Sequence, residues 1–183
     1  MGTEVIAVLD VGKTNKKLAI YDRDFKVLSE ARKSIETKEY NGIEVESTDE
    51  LLAWLKESLK AAAAEFNVRA IAITAHGATY ALLNGDGALA HPVISYTSEK
   101  GDEVQEEFYE RYGDRHVLHR LTCTPDLGFA NLAKSMYYVK TRLPEVWAEC
   151  RHALFYNSYL AYELTGKMGR ECTLTFPAIN VND

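Results

Sequence analysis

The chain has 183 residues, 46% of them hydrophobic and 26% charged, with 21 Lys+Arg against 27 Asp+Glu for a formal charge of −6. That composition belongs to a globular protein, not to a disordered or collagen-like one, and its mild acidity offers no basic footprint for DNA or RNA. No run of roughly 18 apolar residues exists to span a membrane, and Met1-Gly2-Thr3-Glu4 lacks the basic start and cleavage site of a secretion signal.

The opening reads as three strands joined by tight turns. Val5-Ile6-Ala7-Val8-Leu9 is a continuous apolar run, as in a strand buried on both faces. Leu18-Ala19-Ile20-Tyr21 is the second strand, Asp22-Arg23-Asp24 has turn chemistry, and Lys26 to Arg32 alternates like a half-exposed third strand. The period then changes. Ser47-Thr48-Asp49-Glu50 offers capping side chains and early negative charge, which suit a helix start. Leu52, Leu55, Leu59, Ala63 and Phe66 follow at helical spacing and mark one face. Ala70 to Thr74 reads as another buried strand. Tyr80 to Leu83, the turn Asn84-Gly85-Asp86-Gly87 and Ala88 to Tyr96 read as a hairpin. Beyond residue 102 the chain turns helical, with segments 102–112, 129–142 and 156–164 as candidates. Pro144 fits the first turn of a short helix, and Gly166 fits a helix C-cap. The whole is an α/β unit, expected as one incomplete domain over residues 1–183, because the tail from Cys172 to Asp183 carries neither a capped helix nor a clear final strand.

Asp10-Val11-Gly12-Lys13-Thr14-Asn15-Lys16-Lys17 is the most informative stretch. Its Gly-Lys-Thr suggests a P-loop, but that motif needs a Gly where Ala7 stands and a helix after the Thr, whereas a strand follows here. A different geometry fits. Asp10 ends a strand, Gly12 permits a tight reversal, and Thr14 and Asn15 put hydroxyl, amide and backbone N–H groups on the loop. Lys13, Lys16 and Lys17 add cations. A carboxylate at a strand tip can hold Mg²⁺ through water, with N–H groups and Lys facing phosphate oxygens. A plain hairpin turn, in which Asp and Asn serve turn chemistry alone, fits the local pattern equally well.

The chain resembles the FGGY family of carbohydrate kinases, in the superfamily that includes actin, hexokinase and the Hsp70 ATPase. The resemblance runs in order through Asp10-x-Gly12-x-Thr14-Asn15-x-Lys17, His76-Gly77-Ala78-Thr79 and Thr122-Cys123-Thr124-Pro125. It continues through Leu132-Ala133-Lys134, Arg142-Leu143-Pro144-Glu145 and Tyr159-Leu160-Ala161-Tyr162-Glu163-Leu164-Thr165-Gly166. Each piece is weak alone; their shared order and spacing make the set specific.

The resemblance implies a ribonuclease H-like α/β fold with a mixed sheet and flanking helices. It implies transfer of the γ-phosphoryl of ATP to a hydroxyl of a ketose or polyol, with ATP and Mg²⁺ as cofactors. Asp10 would act on the Mg²⁺ shell through water. Gly12, Lys13, Thr14, Asn15 and Lys17 would cradle the phosphates, and His76, Gly77 and Tyr96 would face the sugar. Such a site fits phosphoryl transfer, where positioning and charge neutralisation dominate.

Three departures matter. Lys13 stands where the family usually has Thr, so a hydroxyl contact is lost. Tyr96-Thr97-Ser98-Glu99-Lys100 stands where xylulokinase-type members carry Trp-Asn-Asp-x-Arg, so the sugar-facing carboxylate is missing at Ser98 and Lys100 is no substitute for a bidentate Arg. The family's general base and its adenosine-binding second domain lie beyond residue 183. The isolated chain is therefore expected to be inactive, with the C-terminal domain as its missing partner in cis. A cleft face left bare would favour a homodimer or aggregation. A non-catalytic nucleotide- or sugar-binding module of the same fold is the alternative.

The remaining candidates read as structure. His116 and His119 form an HxxH pair without an evident third ligand, flanked by Arg115 and Arg120, as on a solvated face. Cys123 reads as a packing residue, and Tyr137, Tyr138, Tyr156, Tyr159 and Tyr162 as core and interface filler. Cys123, Cys150 and Cys172 form no CxxC pair, which points to a reducing cytoplasm.

Overall fold

The alternation of side chains along an extended strand decides which residues reach the core. The computed structural model describes residues 2–169. In chain order its strands are β1 (Glu4–Val11), β2 (Asn15–Tyr21), β3 (Val27–Ser34), β4 (Lys38–Tyr40), β5 (Ile43–Val45), β6 (Asn67–Ala75), β7 (Tyr80–Leu83) and β8 (His152–Phe155). The helices are α1 (Thr48–Glu65), α2 (Gln105–Tyr112), α3 (Arg115–Thr122), α4 (Leu132–Arg142), α5 (Pro144–Glu149) and α6 (Tyr156–Thr165). These elements fall into two compact units, residues 2–37, 47–76 and 156–169, and residues 38–46 and 77–155.

The first unit is built on a mixed sheet of order β3-β2-β1-β6, with β1 antiparallel to β2 and parallel to β6. Val5, Ala7, Leu9 and Val11 are buried on one face of β1, joined by Leu18 and Ile20 of β2. The apolar run predicts burial on both faces; the structure covers one, and Ile6 is 38% exposed. β6 is likewise a strand as expected but not a buried one. It is the last strand of the sheet among the described residues, and its Ile71 is 45% exposed.

α1 packs on β2 and β6 through its N-terminal half, burying Leu51, Leu52 and Leu55, while Ala61, Ala63 and Ala64 stay exposed. Ser47 occupies the N-cap position but makes no side-chain cap; its Oγ donates instead to the Glu36 carbonyl at 2.5 Å. That hydroxyl anchors the chain after β3. α6 packs on β6.

The second unit holds two short antiparallel pairs. β4 and β5 are joined by Asn41 and Gly42, at φ 51° and 75°. Two successive positive-φ residues are what a two-residue turn matching the sheet twist demands. β7 pairs with β8, not with the segment that follows it. The expected turn at 84–87 does form, with the Asn84 carboxamide oxygen accepting from the Asp86 and Ala88 amides. The return arm, however, meets β7 through the isolated bridge Leu83–Leu89 and the bonds Asn84 N–H to the Ala88 carbonyl and Ala90 N–H to the Leu82 carbonyl, and then turns to β5 at the bridge Val45–Ile94. Pro92 has no N–H to extend the ladder.

The expected helical stretches appear as a 3-10 turn, Glu99–Val104, running into α2, and a second, Gly128–Ala130, leading into α4. α3 lies outside those expected segments. Asp114 caps it, accepting from the His116 and Val117 amides. Pro144 opens α5, and Gly166 follows α6 at φ 68°, both as expected. Ile43, Val45, Val104, Phe108, Phe129, Tyr137 and Tyr138 form one apolar cluster of this unit.

Candidate functional site

The β1–β2 hairpin brings most of the expected residues together. Asp10 sits opposite Lys17 in the ladder, and Gly12-Lys13-Thr14 forms the turn. Since Asp10 alternates with Leu9 and Val11, its carboxylate leaves the sheet on the face away from the core and is 53% exposed. The Lys17 ammonium lies 3.8 Å from it. A carboxylate and a cation thus stand side by side at the tip of a strand whose other face is buried. Thr14 and Asn15 are exposed, and Lys13 is half-buried. Gly12 cannot be replaced freely, because a Cβ there would lie 2.9 Å from the Asn15 carbonyl, which also accepts the Gly12 N–H.

Lys16 does not join the exposed charges. Neighbours on a strand point to opposite faces, so Lys16 falls on the side of Leu18 and Ile20 and is 2% exposed. Its ammonium donates to the carbonyls of Gly12 at 2.9 Å, Lys13 at 2.5 Å and Ile35 at 3.3 Å. Of the lysines read as a cationic cluster, this one is structural glue under the turn. The period-two pattern Lys16, Leu18, Ile20 carried the signal.

His76 follows β6 in the same unit, its ring stacked on Tyr156 at 5.5 Å between centroids and 26° between planes. The Tyr156 hydroxyl lies 3.1 Å from Thr48 Oγ1, so the ring on which His76 rests is itself held by α1. Gly77 and Tyr96 belong to the other unit. Tyr96 is half-buried, between two residues linked by polar contacts. Ser95 Oγ lies 2.9 Å from Thr97 Oγ1, which donates to the Glu44 carboxylate, both of whose oxygens are 3.0 Å away. The residues at the two departures serve local structure. Ser98 Oγ accepts from the Lys100 amide at the start of the 3-10 turn, and Lys100 Nζ pairs with Glu103 at 2.5 Å. Glu44, on β5, is a carboxylate beside this segment that sequence reading missed, because it is 53 residues from Thr97.

The other candidates settle as follows. His119 Nδ1 lies 2.8 Å from the Thr124 carbonyl, as its donor. Cys123, read as a packing residue, is exposed in the left-handed conformation that ends α3. Tyr137, Tyr138, Tyr156 and Tyr159 are buried as expected. Lys134 is wholly buried in the second unit. It donates to Asp126 and Gln105, each at 2.9 Å, and faces the Tyr109 ring. Burial pushes the Asp126 pKa up, but hydrogen bonds from Lys134 and Tyr109 outweigh it and hold the carboxyl below its usual range. Burial, helped by Asp126, raises Tyr109 to about 12.

Among the described residues no group of three or more His, Cys, Asp or Glu forms a metal cage, and no helix is long and apolar enough to cross a membrane. A lone carboxylate at a strand tip suits an ion that keeps most of its waters, as Mg²⁺ does.

Comparison with known proteins sets this geometry in context. The model of the FGGY family of carbohydrate kinases, N-terminal domain, matches residues 5–176. L-fuculokinase of Salmonella typhi is 28% identical over 180 residues, covering 95% of this chain and 38% of that protein. L-fuculokinase of Escherichia coli K12 is 24% identical over the same length. A carbohydrate kinase from Novosphingobium aromaticivorans superposes with a TM-score of 0.83 at 27% identity, over 94% of this chain and 36% of that one. A xylulose kinase from Lactobacillus acidophilus gives 0.77 at 20% identity, over 90% and 34%. The chain thus spans well under half the length of these relatives. The expected ribonuclease H-like α/β fold, with its mixed sheet and flanking helices, is borne out.

Proposed function

The chain belongs to the FGGY family of carbohydrate kinases, and from that premise we propose that it supplies the phosphate-side hairpin and part of the sugar side of an ATP-dependent sugar kinase. In this reading the γ-phosphoryl of ATP passes to a hydroxyl of a ketose or polyol. The observation that carries it is the exposed Asp10–Lys17 pair at the tip of a strand buried on its other face. Phosphoryl transfer asks a protein mainly to position charged oxygens and offset their charge.

In this reading, Gly12, Lys13, Thr14 and Asn15 surround the phosphates with N–H groups, a hydroxyl and an ammonium, and Lys17 adds a second ammonium. Asp10 would hold magnesium through water, and that ion would supply charge neutralisation on the phosphate oxygens. His76, fixed by its stack on Tyr156, and Gly77 and Tyr96 are assigned to the sugar. The general base and the adenosine site are assigned to the length that the relatives have and this chain lacks; 38% of L-fuculokinase is covered. A cytoplasmic location belongs to the same proposal, in keeping with Cys123 and Cys150 as free thiols.

A coupled ADP-release assay tests it. The 183-residue protein is expected to give no turnover with any sugar. A longer protein carrying these residues and the length its relatives add is expected to phosphorylate at least one of a panel of pentuloses and 6-deoxyketoses, headed by L-fuculose. Robust turnover by the short chain would refute the assignment of the base. Silence of the longer protein across the panel would refute the kinase reading. A second reading, a sugar or nucleotide binder without turnover, is favoured by the local commitments of Ser98 and Lys100. It predicts sugar binding by calorimetry with no ADP released.

A further inference from the structure

The turn at the tip of the hairpin has an unusual internal arrangement. All four carbonyls from Gly12 to Asn15 accept from inside the protein. Those of Gly12 and Lys13 take the Lys16 ammonium, that of Thr14 takes the Ile35 amide at 3.0 Å, and that of Asn15 takes the Gly12 amide at 3.1 Å. Among the described residues there is no cis peptide bond, and in a trans peptide the C=O and N–H point in opposite directions. The two peptide units whose carbonyls face Lys16 therefore turn the N–H groups of Lys13 and Thr14 the other way. Successive N–H groups aimed to one side form a concavity that takes an anion.

We propose that Lys16 is a positioning residue for polyphosphate. From beneath the turn its buried ammonium draws two carbonyls inward, and so presents the Lys13 and Thr14 amides outward to the phosphate chain of a nucleotide. The inference rests on the phosphate-side assignment of the hairpin and deepens it. Lys16 contacts no ligand in this account; its charge acts through the backbone. Burying an ammonium is costly unless it is well bonded. Three carbonyl acceptors within 3.3 Å offset that cost here.

The arrangement also divides the labour among neighbouring lysines. Lys17 lies beside Asp10 on the exposed face. Lys16, one residue earlier, lies under the turn on the opposite face. A lysine that looks redundant in sequence is thus the one that shapes the loop.

The test is a titration of the ¹⁵N-labelled 183-residue protein with magnesium tripolyphosphate, read amide by amide. In the wild type the Lys13 and Thr14 amides are expected to move saturably, and the Gly12 amide, already bonded to Asn15, to move least. In Lys16→Met, with the sheet amides at their wild-type shifts, the affinity is expected to fall at least tenfold. A purely structural role would lower the melting temperature and leave the affinity within twofold, and that result overturns the proposal. The wild-type pattern decides independently of whether the variant folds: if Gly12 responds and Lys13 and Thr14 do not, the proposal also fails. No response anywhere between residues 10 and 17 would overturn the phosphate assignment together with it. A longer protein that phosphorylates no sugar, with the amide pattern intact, would refute the kinase reading alone.

Discussion

Each compact unit of the chain buries a lysine, and the two are buried for different purposes. Lys134 in the second unit donates to a carboxylate, Asp126, and to Gln105, against the ring of Tyr109. Lys16 in the first donates to backbone carbonyls of a turn. The first arrangement joins α4 to the segment before it through side chains, so it fixes packing. The second fixes the direction of peptide planes, so it shapes a surface that a ligand can meet. A buried charge is informative through what it holds, and of these two lysines it is the one under the turn that holds an exposed loop.

The comparison breaks most sharply at Asp126. Its replacement by Ala leaves the Lys134 ammonium enclosed without its carboxylate, a loss expected to cost about 3–5 kcal/mol in urea denaturation. Lys134→Met should cost clearly less, because Asp126 is 26% exposed and can turn to water. Equal costs would contradict the view that Lys134 is the group in need of a partner. A smaller loss, about 1–3 kcal/mol as for other overpacked sites, is expected from Gly101→Ala. A Cβ there meets Gly128 Cα at 2.6 Å and the Phe129 nitrogen at 2.8 Å, all backbone that cannot swing aside. Gly12→Ala meets a single carbonyl at 2.9 Å, so its stability cost should fall at the low end of that range while tripolyphosphate binding weakens more than stability does.

The acid response sharpens the same contrast. The Asp126 carboxyl is held below its usual range in the folded protein, so the unfolded chain binds the proton first as pH falls. Its contribution is fully present above the unfolded value of about 3.9 and is lost as pH falls through the lower folded value. Urea midpoints measured from pH 6 downward should therefore decline more steeply below about pH 4 in the wild type than in Asp126→Asn. Parallel curves would mean that the network around Lys134 carries no such linkage.

What sequence made legible follows the range of the interactions involved. The β1–β2 hairpin was readable because its strands and turn are contiguous, and Asp10, Gly12 and Lys17 fall where period-two alternation puts them. The same alternation placed Lys16 on the buried face, but three nearby lysines read more simply as one cationic cluster. The pairing of β7 with β8 was not readable, since these strands lie about 70 residues apart in the chain and a well-formed turn at 84–87 offered a nearer partner. Asn41-Gly42 is a strong hairpin signal, but Lys38-Glu39-Tyr40 before it has no apolar run to announce a strand. Ser47 had the residue type and position of a cap, yet tertiary structure spends its hydroxyl on Glu36. The Glu44 carboxylate beside Thr97 was not legible, because only folding brings β5 next to that segment.

The central claim is that the Asp10–Lys17 tip receives nucleotide phosphates with magnesium. Its most direct test is tripolyphosphate binding by wild type and Asp10→Asn, each with magnesium and with EDTA. The account predicts that magnesium strengthens binding to the wild type at least tenfold and changes binding to the variant by less than twofold. Equal magnesium dependence in the two proteins, or wild-type binding indifferent to magnesium, would contradict it.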